Sequence, residues 1–300
     1  MKRWKMFFAA IAGSEVILTL LLGSLPTRIL AQDSTNIQTG RLLLVGGVTA
    51  ASVALVDIYQ RDAWWQGERE PFRFENDWEY ALNIDKLGHA YGGYSEAKLA
   101  RSVLQWTGIS ERASIFYGTA IGLAYQTYVE IEDGYHKSYG FSPGDEFSDI
   151  VGACIPTAQE SFPVLKNFSF KFSYYPSNQY LNDLRSQTFR VFIDDYEGSV
   201  YWITMDPHFL LGKDLSRIVP DWLGLAAGFG VHNLNDSGTG SRLYFLTLDY
   251  NFSRIETRSD FLKALFGAMD FFHFPSPGMA IQDSKLKFGI FYTYHVQLTL

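Results

Sequence analysis

The sequence predicts an α+β fold, in which a bundle of about four small-residue-rich helices precedes an antiparallel β-sheet or partial barrel. Up to about residue 165, apolar and small residues recur at helical spacing between helix-start and helix-stop signals. From Asn167 onward, apolar and polar residues alternate singly, as they do along a strand with one apolar face. The predicted domains are a helical domain at 32–166 and an antiparallel β domain at 167–300, behind a signal peptide at 1–31.

The N-terminus has the features of a cleaved secretory signal peptide. Lys2, Arg3 and Lys5 precede an apolar stretch, and Ala31 is the last residue of a suitable cleavage site. A retained membrane anchor is the alternative. We expect export to a Gram-negative-type cell envelope, in the periplasm or outer membrane. The single cysteine, Cys154, lies far from the cleavage site, so we expect neither a disulfide framework nor a lipid anchor.

Composition and charge favour lipid over nucleic acid as a partner. The chain is 47% hydrophobic and only 19% charged, which is low for a soluble enzyme and typical of a chain that meets lipid. Its formal net charge is −7 and it has no basic run, so it is a poor candidate for nucleic-acid binding. We expect membrane lipid or an envelope component as the partner.

The first predicted helix, Leu42–Ile58, consists almost entirely of apolar or small residues. Its length is at the lower end of the roughly 20 residues that span a bilayer. Its glycines and alanines suit close helix packing. A membrane span and a buried core helix both fit this pattern.

Three further helices follow from their start and stop signals. One covers residues 85–106. Ser110 is the predicted N-cap of the next helix, which Gly134 ends. Ser142 as N-cap and Pro143 at the first position predict the start of the last helix of the bundle.

The second half of the chain reads as about six strands, each with one apolar face, and a short amphipathic helix. The runs are Phe168–Tyr174, 189–193, 200–204, Leu223–Val231, 246–252 and 286–300, with the helix at 260–272. The apolar face fits either a small outer-membrane barrel that faces lipid or a sheet laid on the helices. The small number of strands favours a partial barrel or a sheet packed on helices.

Ionisable residues cluster at three predicted helix ends. Asp85, Lys86 and His89 lie within five residues, and Asp85 and His89 share one helix face because they are four residues apart. Asp145 and Asp149 have the same spacing. We expect these ends to converge on one polar site. The candidate metal ligands are Asp85, His89, Glu130, Asp133, Asp145 and Asp149, and the candidate catalytic residues are Lys86 and His89.

Three interpretations of this cluster stay open. Carboxylates with an imidazole are a common ligand set for a divalent metal such as zinc, manganese or iron. Lys86 or His89 beside buried acids could also act as a general acid or base. The acids could instead cap helices and form ion pairs. We favour a structural or binding role in the envelope, with a metal-dependent hydrolase of a lipid or envelope component as the alternative; whether the chain is an enzyme stays open.

The motifs Asp85-Lys86-x-x-His89, Glu130-x-x-Asp133 and Asp145-x-x-x-Asp149-x-x-Gly152-Ala153 resemble the YfiM-type family of predicted periplasmic lipoproteins, domain of unknown function 2279. The resemblance covers about residues 80–165. Residues 195–198, with Tyr201 and Trp202, resemble the β extension of longer members. The resemblance implies a bacterial cell-envelope location and a polar site at these positions, and no established activity.

Overall fold

The computed structural model describes residues 36–186, 191–211, 217–235, 237–283 and 285–292. The predicted signal peptide and the predicted strand end at 293–300 lie outside these residues. The described chain forms two compact units. The helical unit contains residues 36–76, 92–157 and 258–268, and the sheet unit contains the described residues of 77–91, 158–257 and 269–292.

The predicted α+β class is confirmed, with four long helices ahead of a six-stranded antiparallel sheet. The long helices are α1 (Thr39–Ala63), α2 (Ile84–Trp106), α3 (Glu111–Gly134) and α4 (Pro143–Ser161). Two shorter helices, α5 (Asn178–Ser186) and α6 (Asp260–Met269), lie between strands in the chain.

The predicted N-caps begin α3 and α4. The Ser110 hydroxyl accepts a hydrogen bond from the Ala113 N–H at 3.4 Å, and the Ser142 hydroxyl accepts one from the Asp145 N–H at 3.1 Å. Each cap satisfies a backbone N–H that has no partner inside the helix. These local contacts explain why the sequence located both helix starts correctly.

Small residues let the long helices of the helical unit approach closely. Gly118 and Gly122 of α3 form a Gly-x-x-x-Gly motif. A Cβ built on Gly122 would lie 2.8 Å from the Ala97 nitrogen of α2, and one on Gly118 would lie 2.7 Å from the Ala97 carbonyl oxygen. A Cβ on Gly93 of α2 would lie 2.6 Å from the Asp149 carbonyl oxygen of α4. The backbones therefore touch at these points.

Helix α1 is long and apolar enough to cross a membrane, and no residue of its most apolar 18-residue window is buried. Leu43 is 72% exposed, and Ile58 is 62% exposed. Its polar contacts within the helical unit lie near its ends, where Arg41 Nη1 donates to the Trp106 carbonyl oxygen at 3.0 Å. The structure therefore does not support the alternative of a buried core helix.

Six strands form one sheet, in which every strand pairs antiparallel with the next along the chain. The outer edge of β1 is also hydrogen-bonded, since the Phe172 N–H donates to the Phe271 carbonyl oxygen at 3.1 Å. The strands are β1 (Phe168–Tyr174), β2 (Ser199–Met205), β3 (Leu223–His232), β4 (Ser241–Tyr250), β5 (Ser276–Gln282) and β6 (Lys285–Tyr292).

The predicted strand at 189–193 is wrong for the residues that the structure describes. Residues Phe192–Asp194 and Tyr196–Gly198 form short 3-10 turns instead. The carboxylate of Asp195 accepts hydrogen bonds from the backbone N–H groups of Ser177 at 2.8 Å and Gly198 at 3.2 Å. Aspartate that bonds to nearby backbone in this way competes with strand formation.

Two elements were not predicted, strand β5 and helix α5. Pro277 and Gly278 interrupt the alternation of β5, because proline donates no ladder hydrogen bond and glycine has no side chain to show a pattern. Helix α5 is short and mostly polar, and Ser177 caps it by accepting from the Tyr180 N–H at 3.0 Å. Neither element has enough apolar residues to reveal its period.

The two faces of the sheet differ in exposure. The inner face holds a buried apolar cluster of Val200, Trp202, Ala226, Leu243, Phe245 and Ala280. The opposite, outer face is covered at β1 and β2, where Tyr91 of α2 packs against Phe170, Phe172 and Tyr201. Farther along the sheet, large apolar side chains of the outer face are exposed. Within the described residues of the sheet unit, a helix therefore covers the apolar face at the first two strands, β1 and β2, as the sheet-on-helices alternative predicted.

Gly122→Ala tests the close approach of α2 and α3. The added methyl meets backbone atoms, so we expect the free energy of unfolding to fall by about 1–2 kcal/mol even after the higher helix propensity of alanine is included. Gly46→Ala in α1 is the matched control, since nothing lies within 4 Å of its Cβ position. Denaturation in detergent, followed by circular dichroism, measures both. Equal stability of the two variants would contradict the packing described here.

Candidate functional site

A left-handed turn precedes helix α2. Ala81, Leu82 and Asn83 have φ values of 47°, 60° and 72°. This conformation costs a non-glycine residue roughly 1–2 kcal/mol, so tertiary contacts must hold it. Ala81 is buried, the Asn83 amide donates to the Trp78 carbonyl oxygen at 2.6 Å, and Arg242 donates to Asn83 Oδ1 at 3.2 Å. The turn fixes the point at which α2 begins.

Asp85, in the first turn of α2, is a buried carboxylate with a donor at each oxygen. The Tyr196 hydroxyl donates to Oδ1 at 2.6 Å, and Lys86 Nζ donates to Oδ2 at 2.9 Å. Burial raises the pKa of Asp85, but the charges of His89 and Lys86 and the two hydrogen bonds outweigh burial, so the pKa lies below its ordinary value. The group is therefore ionised although the residue is only 8% exposed.

Lys86 lies between two carboxylates. Its ammonium is 2.7 Å from Asp77 Oδ1 as well as 2.9 Å from Asp85 Oδ2, and the residue is buried. A buried ammonium is stable only when it is paired and hydrogen-bonded. With two acids to one lysine, this group carries more negative than positive formal charge before His89 is counted. Such a group favours a further positive charge.

His89 lies one turn after Asp85 on the same side of α2. The pair brings an imidazole nitrogen and a carboxylate oxygen to within 4.8 Å of each other, as the spacing of four residues predicts. His89 is partly exposed, whereas Asp85 is buried. These two groups are a possible pair of ligands for zinc, manganese or iron.

A second pair of candidate ligands lies in the helical unit. Carboxylate oxygens of Glu130, from α3, and Asp149, from α4, lie within 4.8 Å of each other. Both residues are almost completely buried. Glu130 Oε2 accepts a hydrogen bond from the Ser142 N–H at 3.0 Å, which ties the end of α3 to the start of α4. Two buried carboxylates this close repel each other unless a proton, a cation or hydrogen bonds compensate.

Asp133 and Asp145 each make a hydrogen bond within the helical unit. The indole N–H of Trp65 donates to Asp133 Oδ1 at 2.5 Å. Asp145 lies in the first turn of α4, where a negative charge interacts favourably with the helix dipole, and its N–H donates to the cap residue Ser142. These contacts are compatible with a structural role for the two acids, and their roles as metal ligands stay a prediction.

Three further residues complete the Asp85 group, and sequence reasoning did not assign them to it. Asp77 and Tyr196 bind Lys86 and Asp85 directly. Tyr201 is the third, since burial and then the charge of Asp85 raise the pKa of its hydroxyl. Tyr196 and Tyr201 fall in the segment that resembles the β extension of longer family members, which is the one signal that pointed to them. Asp77 has no distinguishing local pattern.

The structure thus brings predicted residues together in two groups, each within one unit. Asp85, Lys86 and His89 form the first group, and Glu130 with Asp149 forms the second. That all six candidate ligands share one site stays a prediction, and so do the catalytic roles of Lys86 and His89.

Comparison with known proteins identifies the segment that contains these groups. Residues 73–159 match the family model described as predicted periplasmic lipoprotein (DUF2279), which confirms the resemblance seen in the sequence. The description supports an exported, cell-envelope location. Its word lipoprotein runs against our expectation of no lipid anchor. No curated protein and no solved structure matches the chain.

Asp85→Asn is expected to make stability less dependent on pH. Because the folded-state pKa of Asp85 is lowered, the ionised group stabilises the fold fully above the unfolded-state pKa of about 3.9 and loses this contribution as the pH falls through the folded-state value. The stability gap between the natural chain and Asp85→Asn is therefore wide at neutral pH and narrows in acid. Denaturant titrations at several pH values measure the gap.

The matched control for this experiment is Asp260→Asn. Asp260 is an exposed acid in the first turn of α6, with 56% of its side chain accessible. Its substitution is expected to change stability little at any pH. A gap for Asp85→Asn that stays constant from neutral to acid pH would contradict the lowered pKa.

Proposed function

We propose that this chain, whose residues 73–159 match the family model described as predicted periplasmic lipoprotein, is a membrane-associated envelope protein with a structural or binding role. The observation that carries the structural part is the Asp85 group. A buried carboxylate with a separate donor at each oxygen is already compensated, and it joins segments that are far apart in the sequence. Such a group fixes a fold without the need for a reaction.

Membrane association is supported by α1. This helix is apolar along most of its length, and its large side chains are exposed. Exposed apolar helices of this length are uncommon in proteins that stay in water, because the hydrophobic effect opposes their exposure. A bilayer removes that cost.

Tyr196→Phe tests the structural role. The change removes the hydroxyl that donates to Asp85 and leaves the ring in place. A hydrogen bond to a buried charged group contributes about 1.5–3 kcal/mol, so the free energy of unfolding is expected to fall by about that amount. Thermal or chemical denaturation in detergent measures the change.

Tyr244→Phe is the matched control, because Tyr244 is 48% exposed on the sheet and its ring packs on Phe229. We expect no change in stability for this variant. If Tyr196→Phe is equally neutral, the Asp85 group does not hold the fold together and the structural role fails.

A metal-dependent hydrolase is the second candidate, favoured by the spacing of Asp85 and His89 and of Glu130 and Asp149. Each pair has the donor chemistry of a divalent transition metal site. A bound ion would supply Lewis-acid activation of water or of an ester bond in a lipid or envelope component. Lys86 or His89 would be the residue that takes or gives a proton nearby.

Metal analysis of the purified chain separates the two candidates. For the hydrolase, we expect zinc, manganese or iron to be bound and to be lost in the Asp85→Ala and His89→Ala variants, since each change removes a ligand of the same pair. Asp260→Ala is the control that should retain the metal. Metal content that is the same in all three variants and in the natural chain discards the hydrolase and leaves the structural role.

A further inference from the structure

We infer that the outer face of the sheet is a surface for the hydrocarbon of a lipid bilayer. This inference rests on the proposed membrane association and adds a second contact surface that is independent of α1. The outer face is defined by eight large apolar side chains on β2 to β6, which are 38–60% exposed: Ile203, Leu225, Tyr244, Leu246, Ile281, Leu286, Phe288 and Ile290.

The strand register makes these side chains one continuous patch. Leu246 pairs with Ala227 of β3 and with Met279 of β5, and Met279 pairs in turn with Phe288 of β6. Two residues farther along the same strands, Tyr244 pairs with Ile281, and Ile281 pairs with Leu286. Side chains in such rows lie on one side of the sheet, so the patch is apolar across four strands.

The inner face buries an ion pair beside its apolar cluster. Lys171 of β1 is 2% exposed there, and its ammonium donates to Asp249 Oδ2 of β4 and to the Tyr250 carbonyl oxygen, both at 2.8 Å. Asp270 lies 3.7 Å from the same ammonium. The inner face therefore buries its charges together with the apolar cluster that includes Trp202 and Phe245. A large apolar outer face that stays exposed beside such a core is the arrangement expected of a sheet in contact with lipid.

Aromatic residues line one end of the strands. The ring centroid of Trp222, just before β3, lies 6.2 Å from that of Tyr250 at the end of β4. The ring centroid of Phe252 lies 6.1 Å from that of Tyr250 and 5.0 Å from that of Phe274, just before β5. Rows of tryptophan and tyrosine at strand ends are typical of the boundary between lipid and water. This row was not apparent in the sequence, because its members come from three separate parts of the chain.

The dimensions fit a bilayer as well. Strands β3 and β4 have 10 residues each. Membrane-spanning strands have roughly 9–11 residues when tilted by about 45°. A protein partner would be expected to bring polar contacts to the rim and hydrogen bonds to the interface. The middle of the outer face carries no charged side chain among the described residues, so lipid is the occupant that its chemistry fits.

Nitroxide labelling of the full chain in vesicles of phosphatidylethanolamine and phosphatidylglycerol tests this inference. In a Cys154→Ser background, single labels are placed at Leu246→Cys and Ile281→Cys on the outer face. Thr239→Cys, in an exposed loop, is the water-facing control, and Leu44→Cys reports on α1. We expect oxygen to raise the spin relaxation rate of the two outer-face labels several-fold more than a water-soluble nickel complex does. At Thr239 we expect the nickel complex to have the larger effect.

The outcomes separate this inference from the proposed function. If the nickel complex relaxes the outer-face labels more than oxygen does, the face lies in water and the inference is overturned. Membrane association by α1 still stands in that case, provided that the label at Leu44 responds mainly to oxygen. Low access to both reagents means that protein covers the face, which also overturns it. Lipid-like outer-face labels with a water-like label at Leu44 support the inference and remove α1 as the membrane contact. Failure of the chain to float with vesicles overturns both.

Discussion

The burial of the Asp85 carboxylate is the constraint on which the arrangement at the start of α2 depends. A carboxylate out of water is stable only beside donors and positive charge. Lys86 supplies the charge and Tyr196 supplies a neutral donor, while Asp77 holds the far side of the ammonium. The strained turn before α2 brings these groups into reach, and its cost is offset by contacts that would be lost if α2 began elsewhere.

The same rule orders the sheet. Lys171 and Asp249 form a buried ion pair on the inner face, with the ammonium 2.8 Å from Asp249 Oδ2. The inner face also buries an apolar cluster that includes Trp202 and Phe245, and further large apolar residues are exposed on the outer face. Helix α1 follows this distribution too, since its apolar side chains are exposed. The chain therefore exposes apolar surface both on a helix and on the sheet.

The acids and the histidine serve either a structural or a metal-binding role with the same geometry. In both cases Asp85 must be ionised and held in place, because a carboxylate that rotates freely neither fixes a helix nor keeps a ligand position. The family description gives an envelope location and no activity. The chemistry of the side chains is therefore the guide to function, and the paired, satisfied state of Asp85 is why we place the structural role first.

The sequence by itself determined the features that depend on neighbours along the chain. Helix starts at Ser110 and Ser142, the shared side of Asp85 and His89, and the alternation of Phe168–Tyr174 follow from local hydrogen bonding and from fixed periods of 3.6 and 2 residues. Only the tertiary structure decided that Tyr196 and Asp77 complete the Asp85 group, that Asp195 forms a turn in place of a strand, and that the apolar face of the sheet is exposed. Those outcomes depend on contacts between residues distant in sequence, and a local pattern carries no information about which distant groups will satisfy a buried charge or cover an apolar face.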